Sequence, residues 1–214
     1  MTATVVTQAF QYDDGRRVRA YLPSSPATAV VFVADGGWHA EPLLASLAAT
    51  ELQAVLLVAI DSAGDDDARL KEYSPGFDAE TFAEHERFFV EAVGAWVRAD
   101  LGVDLGPART AVWGASAGGE LALALGLRHP EFFGAVLCAS PGGGYQPTAL
   151  LPEPLPRTYL VGGTDEPWFL ENARRWGDAL TAAGADVVMA ERPGEHGGAF
   201  WHEELPAQVR WLLG

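Results

Sequence analysis

One cysteine, Cys138, stands in 214 residues. A single thiol excludes an internal disulfide and any zinc cluster built on paired cysteines. It lies in the apolar run GAVLCAS, the setting of a small packed hydrophobe. Basic residues are also scarce: 14 Lys and Arg face 29 Asp and Glu, for a formal net charge of −15. Without a basic cluster the chain has no footprint for a phosphate backbone, so nucleic-acid partners are not expected. The acidity is read as a solubility feature, with a cationic substrate as the lesser reading. The first ten residues, MTATVVTQAF, lack the basic stretch followed by an apolar stretch that marks a signal peptide. No apolar run approaches the ~20 residues of a membrane span. A cytoplasmic protein without membrane contact is therefore expected. The five histidines show no HExxH or related spacing, so no metal site is expected. No internal repeat or linker appears, and a single domain over residues 1–214 is expected.

Apolar patterning, in contrast, is abundant. The segments TVVTQAFQY and RRVRAYLP flank Asp13-Asp14-Gly15, a hairpin turn signal. Continuous apolar runs follow: AVVFVADGG, AVLLVAID, RTAVWGAS, GAVLCASPGG, RTYLVGGTDE and DVVMAERPG. Runs without alternation suit parallel strands buried on both faces. Helical patterns separate them, the longest being DAETFAEHERFFVEAVGAWVRADLG, with Phe82, Phe89, Val93 and Trp96 near helical spacing. PWFLENARRWGDALTAAG opens on a proline and ends on a glycine. In the closing AFWHEELPAQVRWLLG, Pro206 must sit in a first turn or bend the helix. The reading is an α/β sandwich: a mainly parallel sheet, an antiparallel N-terminal hairpin, and helices on both faces. The Pro/Gly-rich stretch from Pro141 to Pro156 reads as a loop, a candidate short cap over a site.

Gly114-Ala115-Ser116-Ala117-Gly118 matches the G-x-S-x-G pattern at the junction of a strand and a helix. A nucleophile elbow needs small neighbours there, because the two backbones pass close to each other. The following helix N-terminus offers free N–H groups to an oxyanion. The plain alternative is an N-cap serine in a Gly/Ala turn. A serine nucleophile needs a base and an orienting acid, in the chain order Ser, acid, His. Asp165 and Glu166 follow one later strand, and His196 follows the next, in the glycine-flanked loop GEHGGAF. Spacing leaves the two acids nearly even, since one of them can simply cap the helix opened by Pro167. His85 reads as solvent-facing and His129 as a helix terminator. His39 is a candidate pocket residue, and His202 a weaker alternative base.

Together these stretches resemble the esterase family of the α/β-hydrolase superfamily. That family includes enterochelin esterases, esterase D-type hydrolases, feruloyl esterases and mycolyltransferase antigens. The carriers are VVFVADGGWH, VAIDSAG with Arg69 and EYSP, VWGASAGGELALALGLRHPEFFGAVLCASP, GGTDEPWFLENARRWGDAL and GEHGGAFWHEELPAQVRWL. The enterochelin esterase-like branch is the nearest in pattern. The resemblance implies an α/β-hydrolase fold, a Ser116–His196 pair, and Glu166 as the acid, with Asp165 as the alternative. Some siderophore-esterase relatives resemble Ser-His dyads, in which the acid matters less. It also implies an oxyanion hole from the amides of Gly37 and Ala117, with Trp38 as fallback. Trp38, His39, Tyr145 and Trp168 are candidate pocket residues, as are Tyr73 and Trp201. No metal or organic cofactor is implied, and the expected partner is a small-molecule ester. A thioesterase, an acyltransferase and a catalytically silent binding module are the competing readings. The Gly197-Gly198 pair departs from the Asp-Trp type of pair that follows the histidine in many relatives. A more open pocket wall is expected there.

Overall fold

The computed structural model describes residues 4–214; residues 1–3 of the expected domain lie outside the described residues. The Asp-Asp-Gly turn forms as the sequence indicates. Asp13, Asp14 and Gly15 all take positive φ (43°, 54° and 112°), a conformation open to Asp and freely adopted by Gly. Strand β1 (Thr4–Ala9) thereby folds antiparallel onto β2 (Arg17–Leu22), with Thr4 opposite Leu22 and Ala9 opposite Arg17.

The six later strands are β3 (Ala29–Val33), β4 (Val55–Ile60), β5 (Thr110–Ala115), β6 (Ala135–Ala139), β7 (Arg157–Gly163) and β8 (Val187–Arg192). Each runs parallel to its neighbour among them, and β2 pairs antiparallel with β4. Among the described residues the sheet has eight strands, in the order β1-β2-β4-β3-β5-β6-β7-β8. Every residue of β3, β4, β5 and β6 is buried, which is why these strands carry no polar alternation. Phe32 and Val112 turn to one face and pack with Phe82, Leu121 and Trp176. These come from α3 (Ala79–Arg87), α5 (Ala117–Arg128) and α6 (Pro167–Ala182). Val31, Val33 and Trp113 turn to the other face and meet Leu43 of α1 (Gly36–Ala48) and Val209 of α8 (Leu205–Leu213). Among the described residues no helix is long and apolar enough to cross a membrane.

Two elements depart from the sequence reading. The long helix is not uniform: a π-helical segment, Phe88–Val93, joins α3 to α4 (Gly94–Ala99). His85, expected to face solvent, is fully buried. It stands three residues after Phe82 and four before Phe89, on the stripe that faces the core. Of the acids beside it in sequence, Glu84 is exposed, while Glu86 is buried and paired with Arg128. The closing segment divides at Glu204 into α7 (Phe200–Glu203) and α8, with Pro206 in the first turn of α8, where its missing N–H costs nothing.

The sheet topology gathers the polar candidates. Asp35 follows β3, Ser116 follows β5, Ser140 follows β6, Glu166 follows β7 and His196 follows β8. All five leave the carboxyl ends of parallel neighbours, the edge where open α/β sheets bind ligands.

Candidate active site

Ser116 occupies a turn that most residues avoid. Its φ of 57° and ψ of −123° are held between β5 and α5. Four bonds secure the turn: Ser116 N–H donates to Ala139 O (3.0 Å), while Ser116 O accepts from Gly119 N–H (2.9 Å), Glu120 N–H (3.3 Å) and Gly142 N–H (3.2 Å). The crossing is tight enough to require glycine, since a Cβ on Gly114 would stand 1.9 Å from the Gly118 carbonyl oxygen. A strained backbone kept by this many contacts is a mark of a functional turn.

His196 lies on the 3.0 Å side of this hydroxyl: its Nε2 is that far from Ser116 Oγ, and its Nδ1 is 2.6 Å from Glu166 Oε2. With a proton on Nδ1, the ring donates to Glu166 and can accept from Ser116. Glu166 is buried and its remaining oxygen, Oε1, accepts from Gly163 N–H (2.6 Å) and from Ser140 Oγ. Ser140 Oγ in turn accepts from Trp201 Nε1 (2.8 Å). The imidazole is packed as well as bonded. Phe169 stacks on it at 3.5 Å between ring centres, and Trp201 meets it edge-on at 4.8 Å. Asp165 stays exposed, its side chain only 3.4 Å from Thr164 Oγ1, and makes no contact with His196. Ser140 and Phe169 were missed from the sequence. Ser140 had a legible signal, being the polar residue that ends β6 beside the Ser116 strand.

The two candidate oxyanion amides start two adjacent helices. Ala117 N–H and Gly37 N–H are in first turns, where no carbonyl four residues back can accept, and neither has an acceptor among the described residues. The turns abut: Ala34 N–H donates to Trp113 O (3.0 Å), and a Cβ on Gly118 would lie 3.1 Å from Asp35 Oδ2. The fallback amide, Trp38 N–H, is already committed to Asp35 O at 2.8 Å.

Comparison with known proteins places the chain in a family. A family model described as Putative esterase matches residues 11–212. The chain belongs to that esterase family. No match was found among curated protein sequences. Among solved structures, it is similar to the enterobactin esterase FES from Shigella flexneri, with a TM-score of 0.79 at 24% identity. That match covers 99% of this chain and 59% of the other, so the chain spans well under two thirds of that enzyme's length. A ferulic acid esterase matches over 100% of this chain and 99% of its own, with a TM-score of 0.76 at 18% identity. The ferulic acid esterase AmCE1/Fae1A from Anaeromyces mucronatus, in complex with ferulic acid, matches over 99% and 89%, with a TM-score of 0.72 at 15% identity. At these identities the likeness is one of fold, and the fold shared is the α/β-hydrolase-like sandwich.

Around Ser116 the candidate pocket residues divide. Trp38 and Trp168 are more than half exposed, at 60% and 55%. Trp168 touches both Phe169, edge-on at 4.7 Å, and the Gly143 backbone, where an added Cβ would lie 2.8 Å from its ring. His39 is buried, with its ring against Trp113 and Trp201 and its Nδ1 2.9 Å from His202 Nε2. Both histidines are thus engaged with each other, and His202 makes no contact with Ser116. Tyr145 packs on Trp176, its ring contacts involving neither Ser116 nor His196. Tyr73 is fully buried and accepts a hydrogen bond from Asp35 N–H at 3.0 Å. Cys138 is buried beneath α5, with its thiol 3.6 Å from Gly119 O. Among the described residues no group of three His, Cys, Asp or Glu side chains could hold a metal ion.

Proposed function

We propose that this chain is a serine esterase that cleaves a small-molecule carboxylic ester through an acyl-enzyme. The single observation that carries the reading is the line Ser116 Oγ–His196–Glu166, with spacings of 3.0 Å and 2.6 Å across the imidazole. His196 Nε2 takes the Ser116 proton as Oγ attacks the ester carbonyl. The oxyanion forms against the Gly37 and Ala117 amides, each donor of this kind being worth ~3–4 kcal/mol. Glu166 holds the imidazole orientation and balances its positive charge. His196 then protonates the departing alcohol. Water, deprotonated by His196, attacks the acyl-enzyme and releases the acid. These steps call on no metal or organic cofactor. Two exposed tryptophans, Trp38 and Trp168, the second against the Phe169 ring that stacks on His196, and the names of the structural neighbours favour an aryl-bearing ester.

The test combines a fluorophosphonate probe with a panel of p-nitrophenyl, feruloyl and catecholate esters. Wild type is expected to label covalently and to hydrolyse at least one ester. Ser116→Ala should lose labelling and at least about 10⁴-fold in kcat, while keeping its melting temperature. An unlabelled wild type would favour a binding module instead. Product analysis with an added alcohol separates hydrolysis from acyl transfer, and a matched thioester tests the thioesterase reading.

A further inference from the structure

Asp35 is an N-cap residue that does not cap. It precedes α1, where an Asp side chain ordinarily accepts from the second or third N–H of the helix. Here it makes no such bond and sits in the left-handed region, at φ 53° and ψ 42°. Its carboxylate is wholly buried and turned toward Arg69, on α2 (Asp66–Tyr73). The guanidinium grips both oxygens: Nε to Oδ1 at 2.7 Å and Nη2 to Oδ2 at 2.6 Å. A second residue of α2, Tyr73, takes the Asp35 N–H. The Arg69 guanidinium carbon also lies 5.3 Å from the Trp38 ring centre and 5.0 Å from that of Tyr73. The turn cannot drift toward the sheet, because a Cβ on Gly36 would already lie 2.6 Å from the Ala59 carbonyl carbon.

The alternative partner for that carboxylate is the issue. The donors it would reach by capping α1 are the amides of Gly37 and Trp38. Trp38 N–H is occupied by Asp35 O. Gly37 N–H has no acceptor among the described residues, and it is the donor the esterase reading assigns to the oxyanion. A carboxylate on Gly37 would consume the hydrogen bond and set a negative charge where another must develop. We propose that Arg69 is a positioning residue: by holding Asp35 in a two-point grip it keeps that carboxylate off the Gly37 amide and leaves the amide for the reaction. The inference rests on the serine-esterase reading for its catalytic meaning. Arg69 is suited to the task because its planar fork matches both carboxylate oxygens, which a lysine cannot do.

Rescue is the distinguishing experiment. Arg69→Ala should lower kcat about 10²-fold, as loss of one oxyanion donor does, with KM nearly unchanged. Adding Asp35→Gly to Arg69→Ala removes the competing carboxylate and keeps a residue that tolerates positive φ. This double variant should recover at least tenfold in kcat over Arg69→Ala. A merely structural Arg69 predicts the reverse, with the double variant as slow as the single or slower, and that result overturns the proposal. If Arg69→Ala does not fold, the same comparison is made between Arg69→Lys and Arg69→Lys with Asp35→Gly. Amide hydrogen exchange at Gly37 gives a readout independent of turnover. It should slow in the Arg69 variant and return toward the wild-type rate in the double variant; unchanged exchange in the single variant overturns the proposal. A wild type that neither labels nor hydrolyses would sink the esterase reading while leaving the exchange result to judge the clamp.

Discussion

Glu166 divides its two oxygens between different tasks. Oε2 meets the imidazole, while Oε1 is fixed by Gly163 N–H and Ser140 Oγ. Its neighbour Asp165 faces solvent. On the proposed mechanism Glu166→Gln should cut kcat by about 10²–10⁴-fold, because an amide can stabilise the wrong imidazole tautomer and carries no charge. Asp165→Asn should stay within about twofold, as expected of an exposed change remote from the reacting atoms. Steady-state kinetics on one p-nitrophenyl ester checks both, and the opposite ranking would transfer the role to Asp165. This choice was not legible from spacing. Adjacent residues in a turn point in different directions, and only the path from β7 into α6 decides which one turns back toward the sheet. Ser116 and His196 were easier, because each needs a local setting that the sequence spells out: small residues about the serine and glycines about the histidine. Phe169 gave no such signal. An aromatic at the third position of an amphipathic helix looks like ordinary packing until the fold sets it on an imidazole.

The elements were legible to the extent that burial is uniform along them. β3 to β6 are buried on both faces, and their unbroken apolar runs announced it. The π-helical segment at Phe88–Val93 was not announced, since i→i+5 bonding shifts the register without changing which residue types are buried. The β5–α5 crossing lies between these cases: small residues were evident, but which of them is indispensable is a matter of distance. Gly114 is the most constrained. An added methyl would stand 1.9 Å from the Gly118 carbonyl oxygen, and its nearest neighbours are all backbone atoms of Gly118 and Gly119, with no side chain able to give way. Gly114→Ala should therefore destabilise by at least about 2 kcal/mol, the scale of overpacking in a close-packed interior. It should also abolish fluorophosphonate labelling by displacing Ser116. Gly64→Ala is the control, because nothing lies within 4 Å of its added Cβ. Its thermal midpoint and labelling should match wild type.

Across the whole molecule, both faces of the sheet bury a histidine where burial disfavours charge. His85 lies on the α3 face and His39 on the α1 face. Burial pushes the His85 pKa down to about 3, with Arg16 adding to the effect and Asp35 and Asp13 opposing it. Burial likewise pushes His39 down to about 4, with nearby His202 and Arg69 in the same direction and Asp35 against. In the unfolded chain both rings return to an ordinary value near 6.5. Above that pH neither state is protonated and stability does not depend on these groups. As pH falls below about 6.5 the unfolded chain takes up protons that the folded one refuses, so stability declines. The decline from these two groups ends only once pH passes the folded values of about 4 and 3. His85 is the cleaner probe, because among the described residues its Nε2 has no hydrogen-bond partner, and its Nδ1 is 3.3 Å from the Tyr12 hydroxyl. Glu72, paired with Arg16, lies 3.8 Å from its Nδ1. His85→Phe keeps an aromatic ring and removes the protonation site. Urea midpoints between pH 7.5 and 4.5 should fall more shallowly in His85→Phe than in wild type. The surface carboxylates contribute equally to both curves and cancel in the difference. Parallel curves would mean that His85 is protonated in the folded core, against the burial that surrounds it.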